Sequence, residues 1–139
     1  MPEKSVLEEA LDITRNHRQK AYSHPIKNFT RVAQFWEIYL MQVGVITTGT
    51  EDPKPLTAEH VAQMMVLFKI ARDNNLPMHD NIVDEAGYVD CVARIDEAMK
   101  KIGYTDGISA LRLMNHEQMH DFNLYLEAIP SDDPKFDGV

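Results

Sequence analysis

Apolar residues recur every three to four positions in several segments of this sequence, and turns rich in proline or glycine separate the segments. Such spacing places the apolar side chains on one face of a helix. One β-branched stretch near Val45 has no partner strand with which to form a sheet. The sequence therefore predicts an all-α fold, in which amphipathic helices bury their apolar faces against one another.

A single helical domain over residues 1–129 is the expected organisation. Its core covers about residues 5–103, a helical extension covers 104–129, and residues 130–139 form a loose tail. Helix starts are predicted at Ser5 with Glu8, at Thr57, at Asp80 or Asn81, and at Asn115 with Gln118. The first four helices are expected to form an antiparallel bundle that largely buries seven apolar residues: Phe29, Trp36, Val61, Met64, Phe68, Ile82 and Val89.

The composition excludes several classes of protein. A single cysteine, Cys91, excludes a disulfide-stapled secreted scaffold, and no apolar run approaches the roughly 18 residues of a membrane span. A net charge of −8 argues against general nucleic-acid binding, which needs a basic surface. The N-terminus lacks the layout of a signal peptide, so we expect a cytoplasmic protein without a membrane partner.

One cluster of charged residues has the spacing of a binding site. Lys69 and Arg72 are three positions apart near the end of one predicted helix, and Asp80 and Asp84 are four apart at the start of the next. A short connection folds these helices side by side, so the two pairs meet at one end. Two cations can hold a phosphate, and two carboxylates one turn apart can share Mg²⁺. The same residues also fit a second interpretation, in which they form salt bridges and favourable helix-end charges.

A second group of functional side chains crowds the connection before the second helix. It contains Arg18, Tyr22, His24 and Asn28. An aromatic ring there can stack on a base while the basic groups hold phosphate. A solvated turn with Asn28 as a helix cap is the alternative interpretation.

The segment His116-Glu117-Gln118-Met119-His120 matches the H-E-x-x-H pattern. On a helix its two histidines share a face and can bind zinc, with Glu117 as a base. The polar residues within and after the motif, and its place near the chain end, fit such a site poorly. Zinc binding by His116 and His120 is therefore a lesser alternative.

Several of these segments together carry a family resemblance: Arg18–Pro25 with Asn28-Phe29, Trp36, Met65–Arg72, Asp80-Asn81, Val83-Asp84 and Ala86–Tyr88. They resemble a family of short proteins encoded by bacteriophages and prophages. That family is similar to the all-α nucleoside triphosphate pyrophosphohydrolases of the MazG and dimeric dUTPase group. The resemblance covers about residues 5–100, and it implies a MazG-like antiparallel bundle to which extra C-terminal helices are added.

What the resemblance implies is nucleotide handling. In the MazG group one helix carries E-E-x-x-E and the next carries E-x-x-D, and together they hold Mg²⁺. Here Asn81 replaces the glutamate of the second motif and only Asp84, helped by Asp80, carries over as a metal ligand. Lys69 and Arg72 lie where acidic residues are expected.

Two functions follow from this pattern. The first is a Mg²⁺-dependent pyrophosphohydrolase with Asp80 and Asp84 as catalytic metal ligands. The second is a non-enzymatic binder that sequesters a nucleotide signal of host defence. The resemblance and the apolar side chains together imply a homo-oligomer, which acts in the cytoplasm of the bacterial host if a phage encodes it.

Overall fold

The computed structural model describes residues 4–18, 24–45 and 54–130. Within them lie six helices: α1 at Val6–Asp12, which continues as a π-helical segment over Ile13–Arg18, α2 at Pro25–Gln42, α3 at Ala58–Asn75, α4 at His79–Lys101, α5 at Ile108–Leu113 and α6 at His116–Ala128. These ranges contain no β-strand, which confirms the all-α prediction. Most of the expected loose tail, residues 131–139, lies outside them. No helix that the structure describes is both long and apolar enough to span a bilayer.

Three helices have the N-cap side chains that the sequence predicts. Ser5 caps α1 together with Glu8, Thr57 caps α3, and Asn115 caps α6 together with Gln118. Each accepts a hydrogen bond from a backbone N–H that the helix itself leaves unpaired.

The start of α4 differs from the prediction. Neither Asp80 nor Asn81 caps this helix, because it already begins at His79, and Met78 before it makes no capping side-chain bond. A residue of α3 instead fixes the connection between α3 and α4. The Asp73 carboxylate of α3 accepts a hydrogen bond from the Met78 N–H at 3.0 Å.

The longest helix, α4, is the centre of the arrangement. Helix α3 packs along it, and the connection over residues 76–78 is so short that the two helices run antiparallel. On another side α1 and its π-helical continuation pack against α4, and a Cβ atom at Gly87 would lie 2.9 Å from Cγ2 of Thr14 in that continuation. Glycine therefore allows a close approach that a larger residue would prevent. Helix α2 packs mainly against α3.

The hydrophobic core lies around the C-terminal half of α4. Ile95 and Met99 are fully buried there, together with Ile26 from the first turn of α2. Much of the remaining core comes from the predicted extension: Leu111, Met114, Met119, Phe122, Leu126 and Ile129. Helices α5 and α6 thus cover a core that the first four helices leave open.

Two buried charged side chains attach this C-terminal segment. The Lys27 ammonium of α2 donates a buried hydrogen bond of 2.7 Å to the Ile129 carbonyl. Glu59 at the start of α3 accepts from the Arg112 guanidinium, including its Nε at 3.1 Å. Because this hydrogen bond favours the carboxylate, it lowers the pKa of Glu59.

The expected set of core residues is wrong for four of its seven members. Val61 is buried, and Phe29 and Trp36 are half-buried. The other four are 42–56% exposed: Met64, Phe68, Ile82 and Val89. Their spacing does place them on apolar stripes of their helices. Periodicity alone does not show whether another element packs over such a stripe and buries it. Helices α5 and α6 instead cover the C-terminal half of α4 and the start of α2.

The position of the core can be tested with a matched pair of substitutions on α4. Val83 is 2% exposed and Val89 is 56% exposed, and both lie inside the same helix. We expect Val83→Ala to lower the free energy of unfolding by about 2 kcal/mol, through lost burial and a residual cavity. Val89→Ala should change it by less than about 0.5 kcal/mol. Urea denaturation measures both, and equal losses would contradict this core.

Candidate functional site

The first feature of the site is an ion pair between α3 and α4. Lys69 Nζ lies 2.9 Å from Asp84 Oδ2, and the two side chains are only 14% and 19% exposed. The short connection between the helices places them opposite each other, as the sequence spacing predicts. Partial burial strengthens the attraction relative to a surface pair, because less water screens the charges.

Arg72 provides the second cationic group. Its guanidinium carbon lies 4.3 Å from the centroid of the Phe68 ring, and Lys69 Nζ lies 5.8 Å from the same centroid. The ring attracts both cations electrostatically. Among the described residues no carboxylate pairs with Arg72, whose N–H groups are therefore available to bind a planar anion or a phosphate.

The two aspartates of the cluster differ in their surroundings. Asp80 lies in the exposed first turn of α4, while Asp84 is half-buried against Lys69 one turn later. Asn81 between them is buried. No group of three histidine, cysteine or acidic side chains suited to a metal occurs in residues 4–18, 24–45 and 54–130. A divalent cation bound here would therefore share Asp84 with the ammonium of Lys69.

His24 lies at the start of α2, where its side chain is buried. It is the N-cap of the helix, and its Nδ1 accepts a hydrogen bond from the Ile26 N–H at 3.1 Å. Pro25 in the first helical position has the backbone angle that a helix start needs. His24 thus takes the capping role that the alternative interpretation gave to Asn28.

The electrostatic environment keeps His24 neutral. Burial lowers the pKa of His24 from 6.5 to about 3, and the charges of nearby cations add to this effect: Arg94, Lys101 and Arg15. Burial disfavours the charged imidazolium, and neighbouring positive charges disfavour it further.

The other candidates of the predicted binding loop have different positions. Asn28 is half-buried in the first turn of α2. Arg18 ends the π-helical segment, but its side chain and the whole of Tyr22 lie outside the described part of the structure. The described residues therefore bring together Lys69, Arg72 and Asp84, with Asp80 one turn away on α4.

Two residues near the site were missed by the sequence reasoning. Tyr88, one turn beyond Asp84, packs its ring against Phe29 with centroids 6.1 Å apart, so it joins α4 to α2. Arg94 is 2% exposed and donates to the Thr14 carbonyl at 3.5 Å, while its Nε has no hydrogen-bond partner among the described residues. The aromatic after Gly87 could have drawn attention to Tyr88. Nothing in the sequence separates Arg94 from the surface arginines.

The H-E-x-x-H segment forms the first turns of α6. His116 and His120 are exposed and line a cleft with Glu37, whose Oε1 lies 3.4 Å from His116 Nε2. Glu37 also accepts a hydrogen bond of 3.0 Å from the Leu56 N–H, so its carboxylate is already engaged in the fold. The zinc interpretation lacks a suitable group of three ligands within the described residues.

Comparison with known proteins supports the resemblance in part. The family described as "Domain of unknown function (DUF6378)" matches residues 5–96. The "Gene 55 protein" of Mycobacterium phage D29 is 37% identical over 94 residues, which cover 67% of this chain and 54% of that protein. The "Gene 55 protein" of Mycobacterium phage L5 is 36% identical over 85 residues, covering 60% of this chain and 47% of that protein.

The chain spans about half the length of these curated relatives. No solved structure matches it. The phage half of the resemblance thus has direct support, while the similarity to MazG-type pyrophosphohydrolases remains a prediction. All the residues of the charged cluster lie inside the matched region.

The buried state of His24 predicts a pH dependence of stability. Below about pH 6.5 the unfolded chain binds a proton on this imidazole that the folded chain does not bind until about pH 3. Lowering the pH therefore favours unfolding, by about 1.4 kcal/mol per pH unit from this group. His24→Asn keeps a capping side chain that does not titrate. Urea denaturation between pH 6 and 4.5 should show a shallower decline for this variant, and parallel declines would contradict a neutral, buried His24.

Proposed function

The chain belongs to the DUF6378 family, and we propose that it binds the phosphate groups of a nucleotide at Lys69 and Arg72. One observation carries the proposal: Arg72 lies over the ring of Phe68 beside a half-buried lysine, and no carboxylate of the described residues neutralises it. A cation held in this way keeps a planar set of donors for an anion.

Phosphate is the ligand chemistry that best suits this pair. Arginine binds two phosphate oxygens at once with its planar fork, and lysine adds a compact positive charge. The net charge of −8 repels polyanions from the surface as a whole. Binding of a nucleotide therefore requires a local cationic site, and Lys69 with Arg72 supplies one.

Asp80 and Asp84 give the site two alternative uses. In the enzymatic form they would hold Mg²⁺, an ion that proteins commonly bind through one or two carboxylates together with the phosphates of the substrate. Mg²⁺ bound there would supply charge stabilisation for hydrolysis of the α–β phosphate linkage of a nucleoside triphosphate. The chain's own part is to align the phosphates with Lys69 and Arg72.

The second form is binding without turnover, which would let the protein sequester a nucleotide signal of host defence. The pairing of Lys69 with Asp84 favours this form, because the ammonium already occupies one oxygen of the carboxylate that a metal would use. The absence of a third acidic ligand among the described residues favours it as well.

The remaining parts of the proposal concern the surroundings of the site. Tyr22 contacts the base, Arg18 adds positive charge for the phosphates and Asn28 completes the set of substrate-binding residues. His24 caps α2 and is buried, so it positions the first turn of that helix. The protein acts as a homo-oligomer in the cytoplasm of the bacterial host, in keeping with the phage origin of its relatives.

Titration of nucleotides into single variants tests the phosphate site. We expect Arg72→Ala to weaken nucleotide binding about tenfold or more, because it removes a charge-assisted contact of roughly 1.5–3 kcal/mol. The matched control is Arg31→Ala on α2, which removes an exposed arginine paired with Glu127. Isothermal calorimetry with a panel of ribo- and deoxyribonucleoside mono- and triphosphates measures the affinities. Equal losses from both variants, or no loss from either, would show that the cluster is only a structural set of ion pairs.

Asp84→Asn separates the two forms of the proposal. If Mg²⁺ bridges the aspartates and the phosphates, this variant should lose the Mg²⁺ dependence of binding and all turnover. If Lys69 binds phosphate directly, removal of its carboxylate partner should leave affinity unchanged or raise it in EDTA. Parallel assays of released pyrophosphate show whether the bound triphosphate is cleaved at all.

A further inference from the structure

Two helices expose apolar stripes on their outer sides. On α2 the stripe consists of Phe35, Ile38 and Tyr39, and on α3 it consists of Met64, Leu67 and Phe68. Each set has the i, i+3, i+4 spacing that places side chains on one helix face. All six are 42–66% exposed, and here they are called the outer face. Helices α2 and α3 pack against each other, so the stripes lie on neighbouring elements. Phe35 and Ile38 also line the cleft that α2 forms with α6.

The outer face is large for a monomeric protein. Aromatic side chains carry roughly 150–250 Å² each, so six large residues at this exposure present on the order of 600–800 Å². The largest apolar patch on a typical monomer is about 300–600 Å². A standard protein–protein interface buries about 800 Å² on each partner. The outer face is therefore at the upper limit for a free surface and has the size that a stable dimer needs.

Two uncharged segments contribute most of the outer face, and the charged residues beside it are Glu37 on α2 and Lys69 and Arg72 on α3. Residues 38–45 and 60–68 contain no aspartate, glutamate, lysine or arginine, although the chain has 36 of them in 139 residues. Depletion of charge is the compositional feature of interface cores. Two copies that each carry a net charge of −8 repel one another at most orientations. They can approach where the surface holds few acidic residues. Between Phe35 and Tyr39 the one acidic residue is Glu37, which lies 3.4 Å from His116 of α6.

We propose that a second copy of the chain covers the outer face, in a two-fold dimer where α2 and α3 of one copy meet the same helices of its partner. A two-fold interface uses one self-complementary patch, and apolar ridges on paired helices provide it. This arrangement also accounts for Met64 and Phe68, whose spacing is that of core residues although they are 42% and 43% exposed.

The dimer places the charged site beside the interface. Phe68 belongs to the outer face and also supports Arg72 with its ring. Covering Phe68 would remove water from one side of this pair, which strengthens the attraction between ring and cation. The dimer itself does not depend on the proposed nucleotide function, so it can be tested without any ligand.

The test is the molar mass of the full chain in solution, measured by light scattering during size-exclusion chromatography at micromolar concentration without nucleotide. We expect twice the 15.9 kDa of one chain. Leu67→Glu places a carboxylate on the outer face opposite its own copy and should give monomers. The matched control is Leu124→Glu on α6, where a leucine of similar exposure lies off the outer face, and it should remain dimeric.

Circular dichroism of each variant tests whether it keeps its helices. If Leu67→Glu unfolds the chain, the molar mass of Ile38→Glu, on the α2 stripe, is measured in its place. This variant should also give monomers. A wild-type chain that runs as a monomer at these concentrations overturns the proposal. Dimers that persist in a folded outer-face variant overturn it too, as do monomers produced by Leu124→Glu, since the interface would then lie elsewhere.

Discussion

The structure depends on the burial of one side of α4. This helix carries Ile95 and Met99 into the core, and α1, α2, α3 and α5 all pack against it. The π-helical continuation of α1 comes close to α4 because residue 87 is glycine, and α3 runs back along α4 because the connection between them is short. Burial of apolar surface is the dominant favourable term in folding, and α4 contributes Cys91, Ile95, Ala98 and Met99 to the core that supplies it.

The charged site is a consequence of that packing. Apolar contacts between α3 and α4 set their alignment, and this alignment brings Lys69 within 2.9 Å of Asp84. A partly buried ion pair alone gives little net stability, because desolvation of the charges offsets much of their attraction. The fold can therefore hold cations and carboxylates at one helix end without relying on them for stability. That independence is what a binding site requires, since a ligand must be able to rearrange the charges.

The features that the sequence predicted correctly are those set by residues close to one another in the chain. Helix caps at Ser5, Thr57 and Asn115, and the meeting of Lys69 with Asp84 across a short connection, all follow from local spacing. Residues distant in the sequence decide the rest: α6 covers Ile26 but not Met64, and Arg94 is buried by the segments around Thr14. His24 looked like a ligand contact because its residue type is common in sites, whereas its cap bond to Ile26 depends on where α2 begins.

The cover provided by α5 and α6 comes from outside the region that matches the family. The shared region ends at residue 96, yet Leu111, Phe122 and Leu126 beyond it close the core over Ile26. The limits of shared sequence are therefore not the limits of a unit that folds on its own. The charged cluster of Lys69, Arg72, Asp80 and Asp84, in contrast, lies entirely within the matched part. A fragment that ended at residue 96 would therefore keep the charged cluster and lose the cover of its core.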